Sequence, residues 1–380
     1  MTFLRNRKRG DFFYGYVVVI AASGLYATIF GILTMFGVFY KPLLVEFGWT
    51  RATMAGAYTL YSILSGFLGI AMGGLTDKFG PRVIVMTLGS FLGLGILLMS
   101  QVSTLWQIYL FWGIMVAIGK STATAPLTAT VARWFTRRRA LMTGIVTSGG
   151  AGLGGMALTP LAAWLILTYG WRSSYFITGI TAIVFILILG HFLKRDPAQL
   201  GQLPEGAIRV EASSRNQESS SVSDKGFMLR QAIVTRQFWA VGIMFFSYGF
   251  LRGTIFVHIV AYVTDLGYSL IDGSYVLAVI TGASAISGII AGRMADKTGN
   301  KPILMISYII IAVTLLAPMV VRDLWVIYMF AIAFSLGRGG AEVVRYPLTS
   351  KLFGLSSIGV ILGFMELMTT IGTAVGPLLG

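Results

Sequence analysis

Apolar residues run along this chain in long blocks broken by short polar segments. A helix needs about 20 such residues to cross the hydrocarbon core of a bilayer. Eleven runs of that kind are readable, at 14–39, 52–73, 83–101, 105–131, 140–168, 174–193, 237–262, 273–292, 302–321, 324–349 and 358–380. The pattern predicts an all-α, multi-pass membrane protein embedded in lipid. One polar stretch interrupts it. Residues 195–235 include EASSRNQESSSVSDKG, show no apolar period and read as a flexible linker. The predicted organisation is therefore a six-helix bundle over 1–194, a linker over 195–235 and a five-span bundle over 236–380.

Composition agrees. Only 11% of the 380 residues are charged, against about a quarter in soluble domains, too few to cover a water-facing surface. The net charge of +15 would suit a nucleic-acid binder if it lay on one face. It lies instead in short segments between apolar runs. With the N-terminus in the cytoplasm, 21 Lys and Arg fall on the inner side and 4 on the outer side, with 4 inside spans. The positive-inside rule then places the N-terminus in the cytoplasm and the protein in the inner (plasma) membrane. The opening MTFLRNRKRG looks like a signal-peptide n-region. The run behind it exceeds the roughly 7–15 residues of an h-region, so it reads as a retained first helix.

There is no cysteine, and the histidines are His191 and His258 alone. That excludes disulfides, a thiolate metal site and a cysteine nucleophile, and no metal or cofactor is expected. No H-E-x-x-H, G-x-S-x-G or Walker lysine occurs, so neither an enzyme nor a primary pump is expected.

The two halves repeat. Gly73, Asp77, Lys78, Gly80 and Arg82 precede the third run, and Gly292, Asp296, Lys297, Gly299 and Lys301 precede the ninth. Both sets fit G-x-x-x-D-K-x-G-x-[RK], 219 residues apart. Gly119-Lys120 and Gly337-Arg338 echo each other at a spacing of 218. Two matches at nearly one offset argue for duplication as parallel repeats. In the loop motif, glycines permit a tight reversal, and the aspartate caps a helix or pairs with an arginine. Such a cluster can act as a cytoplasmic gate.

This duplicated motif resembles the signature of the major facilitator superfamily. FGVFYKPLLVEFGWTRA from Phe36, RWFTRRRALMTG from Arg133, DPAQLG from Asp196 and HIVAYVTDLG from His258 resemble the monocarboxylate porter and oxalate:formate antiporter branch. The resemblance implies two pseudo-symmetric helix bundles, a central cavity lined by spans 1, 4, 7 and 10, and function as a monomer. It also implies twelve spans, and the sequence ends within an eleventh: either it is truncated or a twelfth span is absent, and in the second case the C-terminus is expected to be periplasmic. An arginine in span 8 and a lysine in span 11 belong to that branch's pattern. Span 8 here, Tyr275 to Ala291, has no charge, and span 11 carries Glu366. Those roles do not transfer.

Six charges remain at membrane depth: Lys120, Arg252, Arg338, Glu342, Arg345 and Glu366. Each costs roughly 2.5–3.5 kcal/mol at the bilayer centre unless it is paired or wet. Lys120, Arg252 and Arg338 fall at one depth on spans 4, 7 and 10. They are the candidate anion-binding residues, the alternative being that each neutralises an acid. Arg338, Glu342 and Arg345 share one helix face, as a salt-bridge ladder or an exit path. Glu366 has no cation within helical reach; it and Glu342 are proton-site candidates, or Glu366 pairs with a cation on another span. His258 does not share a face with Arg252 and reads as structural, and His191 as interfacial. The expected function is secondary active transport of a small organic anion by alternating access, as proton symporter or anion exchanger. A transporter-fold receptor that binds without flux is the other reading.

Overall fold

The computed structural model describes residues 13–136, 138–205, 229–316, 323–354 and 358–379. Most of the expected linker, the basic N-terminus, Arg137 and Arg322 lie outside these residues. Helices account for nearly all of the rest, in chain order α1 Gly15–Phe47, α2 Arg51–Phe79, α3 Pro81–Met99, α4 Leu105–Trp134, α5 (141–169), α6 (171–191), α7 Arg236–Asp265, α8 Leu270–Thr298, α9 Asn300–Thr314, α10 Leu324–Phe353 and α11 Ile358–Leu379. Among the described residues the sole β pairing is an isolated bridge between Phe135 and Glu205.

Among the described residues, eight helical stretches are long and apolar enough to cross a membrane. One of them, Leu141–His191, contains 51 residues and breaks at Gly170, where φ is 79° and ψ 163°. The break reverses the chain. Thr159 on α5 meets Thr34 at 3.2 Å, and Gly154 packs near Gly31, so α5 runs alongside α1. Tyr175 on α6 stacks on Phe39 at 3.8 Å, while Leu189 reaches back to Gly24, so α6 returns. The stretch is thus two spans, as the sequence pattern predicts. α2 qualifies as a span if its parts, bent by 48°, are taken together. α9 has 15 residues, short of a ~30 Å core at about 1.5 Å per residue.

The repeated motif is less a loop than two helix ends. Asp77 and Lys78 lie in the last turn of α2, and Asp296 and Lys297 in the last turn of α8. A single glycine makes each reversal: Gly80 at φ 84°, ψ 155° and Gly299 at φ 92°, ψ 159°. Only glycine adopts this region without strain. The nearly equal angles agree with a duplication of this segment.

Packing repeats too. α1 lies against α5 and α7 against α11, while α2–α11, α5–α8 and α1–α7 contacts join the halves. Glycine allows the closest approaches. A Cβ at Gly154 would strike the carbonyl of Ala27, and one at Gly249 the carbonyl of Thr369. Backbone obstacles of this kind cannot rotate away. Gly154→Ala and Gly249→Ala should each cost about 1–3 kcal/mol, seen as a lower unfolding midpoint in detergent. Gly69→Ala, with nothing within 4 Å, should leave the midpoint unchanged.

Candidate functional site

A cavity of about 570 Å³ lies between the halves. α1 contributes Tyr26 and Phe30, α2 Tyr58, α7 Arg252 and Phe256, α10 Arg338, Glu342 and Tyr346, and α11 Glu366. Thr143 and Gly144, next to the basic start of α5, also line it. The cavity therefore extends toward the end of the molecule that bears the repeated motif.

Its charges are arranged unequally. Arg252 makes no ion pair among the described residues, and its Nε is buried without a partner. Arg338 Nη2 lies 3.5 Å from Glu342, and its guanidinium sits 5.0 Å over the ring of Phe256. Arg345 is 2% exposed and faces two acids, Glu342 at 3.7 Å and Glu366 at 3.6 Å. Three rings surround it, with Phe245, Tyr248 and Tyr346 at 4.9, 4.2 and 4.8 Å from the guanidinium carbon. The tyrosines complete the network. Tyr248 donates its hydroxyl proton to Glu342, Tyr346 donates to Glu366, and Arg345 Nη2 donates to the Tyr346 oxygen at 2.9 Å. α7, α10 and α11 are thus tied through one charged and aromatic cluster.

The cavity lining includes Arg252, Arg338, Glu342 and Glu366. Lys120 is not among the lining residues. Its Nζ lies 3.5 Å from Ser65 Oγ on α2, although its charge interacts with Arg252 and Glu366. The expected triad of cations facing one pocket is a pair, with Lys120 behind it. Glu366, which has no cation within reach on its own helix, finds Arg345 on α10. Arg345 belongs to a buried ladder. The histidines are engaged: His258 donates from Nε2 to the carbonyl of Pro377 at 3.0 Å, and His191 Nδ1 accepts from Arg82 at 2.7 Å.

Sequence reasoning missed Tyr248, Tyr346 and Phe245. A signal existed. A tyrosine inside an apolar helix needs a partner for its hydroxyl, Tyr346 directly follows Arg345, and Tyr248 precedes Arg252 by one helical turn.

The two ends of the cavity differ. At the motif end Arg133 binds Asp77 at 2.8 Å and Asp196 at 3.4 Å, and Arg195 donates to the Asp77 carbonyl at 2.8 Å. These contacts lie within the first bundle or join it to the start of the linker segment, and none of them reaches the second half. In the second half Asp296 and Lys297 make no ion pair among the described residues. At the opposite end the halves are joined. Asp265 on α7 holds Lys41 and Arg51, each at 2.6 Å, and Tyr40 packs edge-on against His258 at 5.4 Å. The segments FGVFYKPLLVEFGWTRA and HIVAYVTDLG thus meet across the halves.

Comparisons with known proteins agree with this architecture. The chain is 26% identical over 370 residues to monocarboxylate transporter 13 of Bos taurus, covering 97% of this chain and 82% of that protein. It is 26% identical over 353 residues to the oxalate:formate antiporter of Oxalobacter formigenes, covering 88% and 77%. Among solved structures, a bacterial homolog to the human lysosomal transporter Spinster, in an inward-facing and unoccupied conformation, superposes with a TM-score of 0.74. At 18% identity, over 97% of this chain and 82% of that one, the likeness concerns fold. The family model described as Major Facilitator Superfamily matches residues 22–377, and the chain belongs to that superfamily of multi-pass membrane transporters.

Proposed function

We propose that the protein carries a small organic anion, a mono- or dicarboxylate, by alternating access, as a proton symporter or anion exchanger. The supporting observation is Arg252, a guanidinium on the cavity wall with no acid within ion-pair distance among the described residues. An unpaired cation at this depth attracts a carboxylate, and its planar fork can hold both oxygens. Arg338 is the second anchor. Lys120 acts as a supporting charge from behind. The names of the carboxylate-carrying relatives point the same way. The excess of basic residues in these loops supports a cytoplasmic N-terminus and motif end in an inner or plasma membrane, an orientation in which the cavity opens inward. The chain acts as a monomer. Rocking the halves would then break the Asp265 contacts and close the motif end, with Asp77, Lys78, Asp296, Lys297 and their neighbouring glycines as the gate.

Glu342 and Glu366 are the coupling candidates. Glu342 shares Arg338 with any incoming carboxylate. A proton on Glu342 would release Arg338 to the substrate, linking the two loads.

Uptake by proteoliposomes tests the substrate reading. Arg252→Gln and Arg338→Gln should each lower kcat/KM for a transported carboxylate roughly tenfold to a hundredfold, the scale of a lost charged hydrogen bond. Transport of a cation or neutral sugar with no carboxylate flux would overturn it, and saturable binding without flux would indicate a receptor. Coupling is read by imposing a pH gradient. For symport, acid outside should accelerate uptake, and Glu342→Gln or Glu366→Gln should abolish that acceleration. Indifference of the wild type to the gradient favours exchange. Because the chain has no cysteine, a single cysteine at Val257, fully buried beside Gly37, can report on the outer end. Asp265→Asn should raise its labelling from outside; unchanged labelling would show that Asp265 does not hold that end shut.

A further inference from the structure

The cavity wall also narrows the kind of anion, an inference that rests on the organic-anion reading. We infer that the site takes a monoanion with a flat, apolar body, an aromatic monocarboxylate rather than a two- or three-carbon acid, a dicarboxylate or a polyhydroxylated acid. Charge sets the first condition. Arg338 and Arg345 are matched by Glu342 and Glu366 through contacts of 3.5, 3.7 and 3.6 Å. That cluster sums to zero. Lys120 meets Ser65 and is not among the lining residues. Of the two arginines that line the space, Arg252 is the one with no acid within ion-pair distance among the described residues, and one carboxylate balances it. A second carboxylate would have to displace Glu342 from Arg338.

Shape and surface set the second condition. A volume of about 570 Å³ falls within the roughly 300–1,000 Å³ of sites for drug-sized ligands. A two- or three-carbon acid would leave most of it filled with water. The walls are aromatic: Tyr26 and Phe30 stack at 4.3 Å with planes 8° apart, and Tyr58, Phe256 and Tyr346 complete the lining. Wetting these faces around a small hydrophilic ion forgoes the burial of apolar surface that a ring would supply.

Hydrogen bonding sets the third. Four of the lining hydroxyls are engaged with their own helices. Thr34 donates to the Gly31 carbonyl at 2.7 Å, Thr147 to Thr143 at 2.9 Å, Thr281 to Ala278 at 2.9 Å and Ser284 to Ile280 at 2.6 Å. Tyr346 gives its proton to Glu366. These five donors are withdrawn from a sugar acid's several hydroxyl oxygens. The guanidinium of Arg252 remains a charged donor without an acid, and it suits a carboxylate.

The test uses the full chain in proteoliposomes with labelled phenylacetate, indole-3-acetate, lactate, oxalate and gluconate. Saturable uptake of the two aromatic acids is expected, with KM about tenfold or more below that for lactate. Oxalate and gluconate should compete weakly. Phe30→Leu should raise KM for phenylacetate roughly threefold to tenfold, a larger factor than it changes the KM for lactate. The substrate comparison in the wild type needs no variant to fold. Equal or higher kcat/KM for lactate, oxalate or gluconate would overturn the aromatic assignment while leaving the organic-anion reading intact. Absence of uptake for every carboxylate would end both.

Discussion

A guanidinium does not give up its proton in a protein, so at membrane depth it must be supplied with acids or with water. This chain uses both solutions within a few ångströms. Arg345, 2% exposed, is walled by three rings and faces Glu342 and Glu366. Arg252 has neither acid, and the cavity solvates it. The first solution supports the second. Because Arg345 fixes Glu342 and Glu366 on one side, those acids do not swing over to neutralise Arg252. Tyr248 and Tyr346 strengthen that restraint by donating to the same acids. A buried pair of this kind adds little net stability after desolvation, but losing one member leaves a costly orphan charge. Its value here is positional.

The duplicated halves obey the same rules with different occupants. Gly80 and Gly299 reverse the chain at nearly identical angles. Yet Asp77 is bound by Arg133 and Arg195, while Asp296 makes no ion pair among the described residues. Lys120 and Arg338 are equivalent by sequence offset but have diverged in use: the lysine turns to Ser65, and the arginine meets Glu342 one helical turn further on. Divergence of this kind is expected when one ancestral position must serve two non-identical walls. A single anion placed off the symmetry axis does not need matching cations on both sides.

Depth was legible in the sequence, and direction was not. Helix rise is a fixed quantity, so counting residues put Lys120, Arg252 and Arg338 at one level. Azimuth is different. It depends on helix tilt and on which neighbour each face meets, and one residue turns the helix by about 100°. Lys120 therefore meets Ser65 on α2 and is not among the cavity-lining residues. The pairing of Arg345 with Glu366 crosses from α10 to α11, and no single-helix periodicity encodes it. Boundaries failed in one informative way. α2 and α8 run past their apolar ends to Phe79 and Thr298, because polar residues continue a helix wherever its end projects beyond the hydrocarbon. Only the glycines, whose backbone angles no other residue tolerates well, fixed the reversals from sequence alone.

A carrier must also let go. If Arg252 and Arg338 both met the anion without competition, two charge-assisted bonds in a poorly solvated site would hold it tightly in every conformation. Tight binding that is equal in both states shifts no equilibrium between them. Glu342 prevents that outcome. Standing 3.5 Å from Arg338 and 3.7 Å from Arg345, it is an internal carboxylate that occupies part of the second anchor. An anion bound as proposed would gain the difference between its own contact and the one it displaces. A small rotation of α10 against α7 would change that difference, since Glu342 on α10 is also tied to Tyr248 on α7 while Arg338 moves with α10. Under the proposed transport, binding strength and helix position would become a single variable, which is the requirement for moving a bound anion rather than merely holding it.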